Sequence, residues 1–153
     1  DGWDCNRAAM KDESDAQRKR SGWRGLIGYR TTAWREGYGE VELAVGPQHM
    51  NSIGMVHGGV YATLLDVALG HAVGFCTVPG HARYSTTVSL TTTYLKGARG
   101  GVLTATGRIN GVSGRLVTGT GEVHSEAGEL LAAAQASFLY FPGSERPEGV
   151  PMR

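Results

Sequence analysis

Residues 56–75 (VHGGVYATLLDVALGHAVGF) carry apolar side chains on nearly every side of a helical wheel. Val60, Leu64, Val67 and Ala68 recur at helical spacing, and Leu65, Leu69, Ala72 and Val73 fill the rows beside them. A helix that is apolar all round is buried on most of its surface. Gly74 and then Pro79-Gly80 mark its end and exit loop. It is the one long helix the sequence supports, so strands must wrap it. About 18 residues span about 27 Å, enough to cross a sheet of about six strands at about 4.8 Å spacing.

The strands are legible on both sides of this helix. Leu26-Ile27-Gly28-Tyr29 leads into Thr31–Trp34, and Tyr38, Val41, Leu43 and Val45 nearly alternate with polar residues, with Gly37 and Gly39 suiting the turn between them. Residues 46–59 read as a loop. After the helix, 83–96, 101–110, 115–125 and 130–141 are rich in β-branched and aromatic residues. Short turns at 97–101, 111–114 and 127–128 suggest a meander of antiparallel strands. The order is two strands, a buried helix and four strands. It predicts an α+β domain in which a long central helix is wrapped by an antiparallel sheet, the hotdog architecture.

At 153 residues the chain fits one domain, which can bury a core without disulfides or metal. We place that domain at 24–141, after a polar arm or short helix over 1–23 and before a poorly ordered tail over 142–153. Most of the 24 glycines fall near turn positions between apolar runs. A net charge of +1 gives no reason to expect a nucleic-acid or membrane partner, and Arg18-Lys19-Arg20 has no larger basic face to join. Cys5 and Cys76 read as free thiols of a reducing compartment. No apolar run reaches the roughly 20 residues of a membrane span, and no signal peptide is visible. The expected location is cytoplasmic.

Chemistry concentrates in Asn51–Asp66. His57-Gly58-Gly59 opens the helix, where the first backbone N–H groups lack internal partners and the dipole adds partial positive charge. Glycine lets a ligand approach the backbone closely, so this is a place to hold a carbonyl oxygen that becomes negative during acyl transfer. Close packing of the loop on the sheet would explain the glycines equally. Asp66 stands among Leu64, Leu65, Val67, Ala68 and Leu69. A carboxylate buried there is costly unless hydrogen-bonded and marks a functional candidate; a solvent-facing Asp is the plainer reading. Gly58 and Asp66 are about 12 Å apart along one helix. A base or nucleophile and its oxyanion site must meet within about 3 Å of the same reacting atoms. If both groups act, two antiparallel helices of a symmetric dimer must bring them together.

The run Asn51…Gly54…His57-Gly58-Gly59…Asp66 resembles the hotdog-fold thioesterases of the phenylacetate-pathway and 4-hydroxybenzoyl-CoA thioesterase type. Thr87–Leu95 resembles the strand after that family's helix, and Gly128–Ala132 with Ala136-Ser137-Phe138 its final hairpin. The likeness covers 24–141. It implies hydrolysis of aryl or medium-chain acyl-CoA, with CoA as part of the substrate and no separate cofactor. Gly58 N–H would hold the thioester oxygen, and Asp66 of the facing subunit would act as nucleophile or as general base. Asn51 would help place the acyl group or water, and Thr87 would hydrogen-bond the water or carboxylate. His57 would order the helix start, with direct participation a further option, and Gly59 would line the substrate path. Ser113-Gly114-Arg115 would contact CoA, with Arg108, Lys96 and Arg99 as weaker candidates. A homodimer is required and a homotetramer expected. His49, His71, His81 and His124 carry no metal-type spacing, so no metal is assigned. A non-catalytic acyl-CoA-binding module and a hotdog hydratase or dehydratase are the competing functions. No G-x-S-x-G elbow supports a serine hydrolase.

Overall fold

The long helix over Gly58–Gly74, α2 in chain order, begins where His57 turns its ring back on the chain. In the computed structural model, which describes residues 22–153, His57 is extended (φ −64°, ψ 139°) and its Nδ1 accepts the Gly59 N–H at 2.9 Å. One orphan donor of the first turn is thereby satisfied. The helix runs Gly58–Gly74. Before it come a short helix α1 (Gly22–Ile27), strands β1 (Arg30–Arg35) and β2 (Tyr38–Ala44), and a 3-10 turn at Pro47–His49. After it come β3 (His81–Ala82), β4 (Ser85–Tyr94), β5 (Val102–Ser113), β6 (Leu116–Ser125), β7 (Leu130–Tyr140) and β8 (Val150–Pro151). The expected first strand from Leu26 is thus corrected. Leu26 and Ile27 close α1, and Gly28 (φ +86°) breaks it, its N–H returning to Arg24 O at 2.8 Å.

Six strands form one antiparallel sheet in the order β1-β2-β5-β6-β7-β4. The simple meander is corrected too. β4 follows the helix but pairs with β7 at the far edge, not with β5. α2 carries the chain across the sheet, and residues 95–101 then cross back to its middle. After α2 only β5, β6 and β7 form consecutive hairpins; before it β1 and β2 form one.

One face of α2 is the core. Val60, Tyr61, Leu64, Leu65, Ala68, Leu69, Ala72 and Val73 are buried. Leu64, Leu65 and Leu69 are wholly enclosed, each contributing about 1.5–3 kcal/mol of apolar burial. The opposite stripe, including Thr63, Asp66, Val67 and Gly70, is only half-buried. A single chain's sheet covers one side of the helix, so its all-round apolar character exceeds what one chain can bury.

The helix rests on glycine. Gly107, Gly119 and Gly121 lie inside strands, as the expected bounds 101–110 and 115–125 allow, and so does Gly39, which is corrected from the turn. A Cβ on Gly39 would lie 2.3 Å from Ala68 O, and one on Gly107 2.6 Å from Leu69 N. Gly37 does occupy the β1–β2 turn, with φ +66°.

The C-terminal segment is built into the structure, against the expectation of a loose tail. β8 pairs with β3. Arg83 donates from Nε to Ser144 O (3.0 Å) and from Nη2 to Glu145 O (2.9 Å), and its guanidinium sits 4.5 Å over the Tyr140 ring. The polar arm before residue 22 and Cys5 lie outside the described residues; Cys76 is a free thiol. No helix among the described residues is long and apolar enough to cross a membrane.

Candidate active site

The loop before α2 is held by its own polar side chains. His49 is buried; its Nδ1 accepts the Gly46 N–H (2.8 Å), so its Nε2–H is left to donate to Ile27 O (2.7 Å). Asn51 Oδ1 accepts the N–H groups of Ile53 (3.1 Å) and Met55 (3.0 Å), a local side-chain-to-backbone turn. Arg99 Nη1 donates to Gly54 O at 3.2 Å. His57 N–H reaches His49 O at 2.8 Å. Asn51 and His57 therefore shape the loop and the helix start through bonds the structure records directly.

This frame presents Gly58. Its neighbour Gly59 has given its N–H to His57, whereas the Gly58 N–H has no partner among the described residues. The helix end supplies roughly half a positive charge at that point. A Cβ on Gly58 would come 3.4 Å from the Tyr94 ring, and Tyr94 Oη donates to Gly58 O at 3.2 Å.

Asp66 lies two turns further on, half-buried, and accepts a hydrogen bond from Thr87 Oγ1 at 2.8 Å. The backbone of β4 explains how Thr87 gets there. Leu90, Thr92 and Tyr94 oppose the buried Ala136, Ala134 and Ala132 and share their face. Strict alternation would turn Thr87 outward. A bulge between Thr87 and Ser89 inserts Val88 and pairs Thr87 with buried Phe138, on the helix side. Bulges re-aim side chains in this way. The Asp66 carboxylate also acts at a distance: burial pushes the Tyr29 phenol up, Arg24 opposes, and Asp66 adds to the rise.

Two clusters result. Asn51, His57, Gly58 and Gly59 gather at the head of α2, and Asp66 with Thr87 lies about 12 Å along it. Because α2 is one uninterrupted helix, the chain by itself does not bring them together. Ser113 ends β5, and Gly114 (φ +60°) with Arg115 makes a two-residue turn. Arg115 Nη1 donates to Tyr140 O at 3.1 Å. Through the pairing of Val117 with Phe138 and of Phe138 with Thr87, this turn lies at the Thr87 end of the sheet. Among the described residues no three His, Cys, Asp or Glu side chains are close enough to hold a metal. Residue-by-residue reading missed Tyr94, which covers Gly58, and the Val88 bulge; neither has a local signature in a Thr-rich strand.

The family model of the thioesterase superfamily matches residues 53–132, which hold Gly58, Asp66 and Thr87. The chain belongs to the thioesterase superfamily. A protein of Archaeoglobus fulgidus named as an esterase is 30% identical over 76 residues, 50% of this chain and 46% of the relative. The chain thus matches under half the length of that curated relative. Among solved structures, a thioesterase of Haemophilus influenzae superposes with a TM-score of 0.75 at 17% identity, covering 86% of this chain and 90% of that one. The E. coli PaaI protein from the phenylacetic acid degradation operon gives 0.74 at 18% identity, covering 86% and 93%. At such identities the likeness is one of fold, and the fold of this thioesterase-superfamily chain is the hotdog.

Proposed function

We propose that the protein hydrolyses acyl-CoA thioesters at a site shared by two copies of the chain. The observation that carries this reading is the pair of half-sites on α2. The unpartnered Gly58 N–H is an oxyanion donor without a base, and the Thr87-bonded Asp66 is a carboxylate without an oxyanion donor. Packing two α2 helices antiparallel along their half-buried stripes would set Gly58 of one copy against Asp66 of the other, twice. The same contact would cover the apolar surface that one chain leaves uncovered.

In that arrangement the thioester oxygen accepts from Gly58 N–H, aided by the helix dipole, and negative charge develops there as the carbonyl carbon is attacked. Loss of such a donor costs about 10²–10³ in rate. Asp66 either attacks the carbonyl carbon, giving an anhydride that water then cleaves, or takes the proton of an attacking water. Either route expels CoA thiolate and yields the free acid. Thr87 orients the carboxylate by donating to Oδ1. Asn51 supports the loop that holds Gly58, and Ser113-Gly114-Arg115 would meet the anionic CoA arm. The substrate carries its own CoA, so no further cofactor is invoked. A cytoplasmic dimer, further paired into a tetramer, is the assembly this reading favours.

Release of CoA thiol from a panel of acyl-CoAs, with wild type beside Asp66→Asn, tests it. The substitution keeps shape and removes the basic charge, so the rate should fall at least about 10²-fold. Persistent hydrolysis in the variant removes Asp66 from the chemistry. Acyl-CoA binding without hydrolysis by wild type would instead favour a binding module. A monomer on sizing at assay concentration rules out the shared site.

A further inference from the structure

Tyr94 has no place in the chemistry above, yet it is built against it. Its ring packs edge-on to Tyr61, with centroids 6.1 Å apart at 74°. Tyr61 is itself immobilised: it is buried, and its Oη accepts the Ala98 N–H at 3.1 Å. Tyr94 stays 53% exposed, although its hydroxyl is tied to Gly58 O. Together the two rings, with Val56, Leu95, the Lys96 stem and the Gly97 backbone, line a solvent-open cleft of about 260 Å³ that adjoins Gly58. The Met55 methyl group fills the space that a side chain at position 97 would need, so it packs against the floor of the cleft.

We infer that Tyr94 is the acyl-size determinant of the site: its ring walls the cleft beside Gly58 and sets how long an acyl group packs there. This rests on the thioesterase reading. The volume of the cleft, about 260 Å³, suits a small acyl group. It lies below the about 300–1,000 Å³ of a pocket that encloses a drug-sized ligand. A one-ring aryl acyl or a short aliphatic chain fits against the two tyrosine rings. A long fatty chain meets the Tyr94 face. Because Tyr61 is pinned on the core side and Tyr94 is half exposed, removing the Tyr94 ring widens the cleft without emptying the core.

The test is a chain-length series of saturated acyl-CoAs, from four to sixteen carbons, with phenylacetyl-CoA as the aryl member. It is read as CoA release by wild type, Tyr94→Phe, Tyr94→Ala and Asp66→Asn. Wild type should lose at least about tenfold in kcat/KM between eight and twelve carbons, because a longer chain must displace the Tyr94 ring at an overpacking cost. Tyr94→Phe keeps the ring and should keep the cutoff. Tyr94→Ala should move the cutoff outward and lose at least about tenfold on the aryl substrate relative to the longest chain. Calorimetric binding of non-hydrolysable thioether analogues of the same lengths gives a readout independent of turnover. It should follow the same cutoff in each folded variant. Asp66-dependent hydrolysis with a cutoff unmoved in Tyr94→Ala overturns the assignment and leaves the thioesterase reading standing. Hydrolysis of no chain length by wild type overturns both.

Discussion

Replacing Gly107 by alanine isolates the contact that seats the helix. A strand glycine is ordinarily a weakness, and alanine in its place would gain about 0.5–1 kcal/mol if room existed. Here the added Cβ would meet Leu69 N at 2.6 Å, Ala68 C at 2.7 Å and Leu69 Cα at 2.7 Å. These are backbone atoms of α2, so no rotamer change makes space. Carbon atoms pack at about 3.5–4.0 Å, so strand and helix must part by about 1 Å. Overpacking of this kind costs about 1–3 kcal/mol. Set against the glycine term, the net loss spans about 0–2.5 kcal/mol and centres on about 1 kcal/mol. With a urea slope near 2 kcal/mol/M, the unfolding midpoint should fall by about 0.5 M, and by no more than about 1.2 M, with the slope unchanged. Wild type and variant are compared at one protein concentration, because association contributes to stability. Gly25→Ala in α1 is the control: nothing lies within 4 Å of its added Cβ, and it should raise stability by about 0.5–1 kcal/mol. A Gly107→Ala midpoint above wild type would refute the close seating of α2 on the glycine floor.

Thr87→Val keeps the side chain's shape but removes the donor to Asp66 Oδ1. A hydrogen bond to a charged group is worth about 1.5–3 kcal/mol, so kcat should fall about 10- to 100-fold, with Thr87→Ser recovering most of it; equal kcat in the valine variant would make Thr87 a bystander. The His71 ring is held neutral, with burial pushing its pKa below the ordinary 6.5, the Nδ1–H bond to Val67 O opposing, and Arg24 lowering it further. Its folded-state pKa lies below the unfolded one, so the unfolded chain takes up more protons. Stability should therefore fall as pH drops below about 6.5 and keep falling until the folded pKa is passed. Urea midpoints measured from pH 7.5 to 5 should show that slope and should flatten in His71→Gln; an equal slope in the variant would assign the pH dependence elsewhere. Arg83→Ala removes two bonds to the C-terminal segment and a stacked cation. Hydrogen exchange should then accelerate at the Gly149 and Met152 amides, now bonded to Arg146 O and Gly80 O, while β5–β7 stay protected; unchanged exchange there would show the tail anchored by β3 alone.

Local periodicity determined much of this protein without help from the fold. The helix over 58–74 and the bodies of β2, β4, β5, β6 and β7 follow from spacing that neighbouring residues set among themselves. The run His57-Gly58-Gly59…Asp66 also marked the head of a helix and a carboxylate two turns beyond it. The rest required residues far apart in the chain. Nothing near Ser85–Tyr94 says that β4 skips β5 and pairs with β7; α2 decides that by carrying the chain across the sheet. The tail looked loose because its anchor, Arg83, stands some sixty residues before Ser144 and Glu145. Gly39 reads as a turn residue, and Gly107 as an unexplained glycine within a strand, because the reason for both is the backbone of α2 lying against them. Thr87 faces Asp66 only through a one-residue bulge, and Tyr94 covers Gly58 only once β4 runs beside the helix head. A period is a property of a few adjacent residues and survives in the sequence. A register, a close approach or a half-site's missing partner is a property of surfaces, which exist only after the chain has folded back on itself.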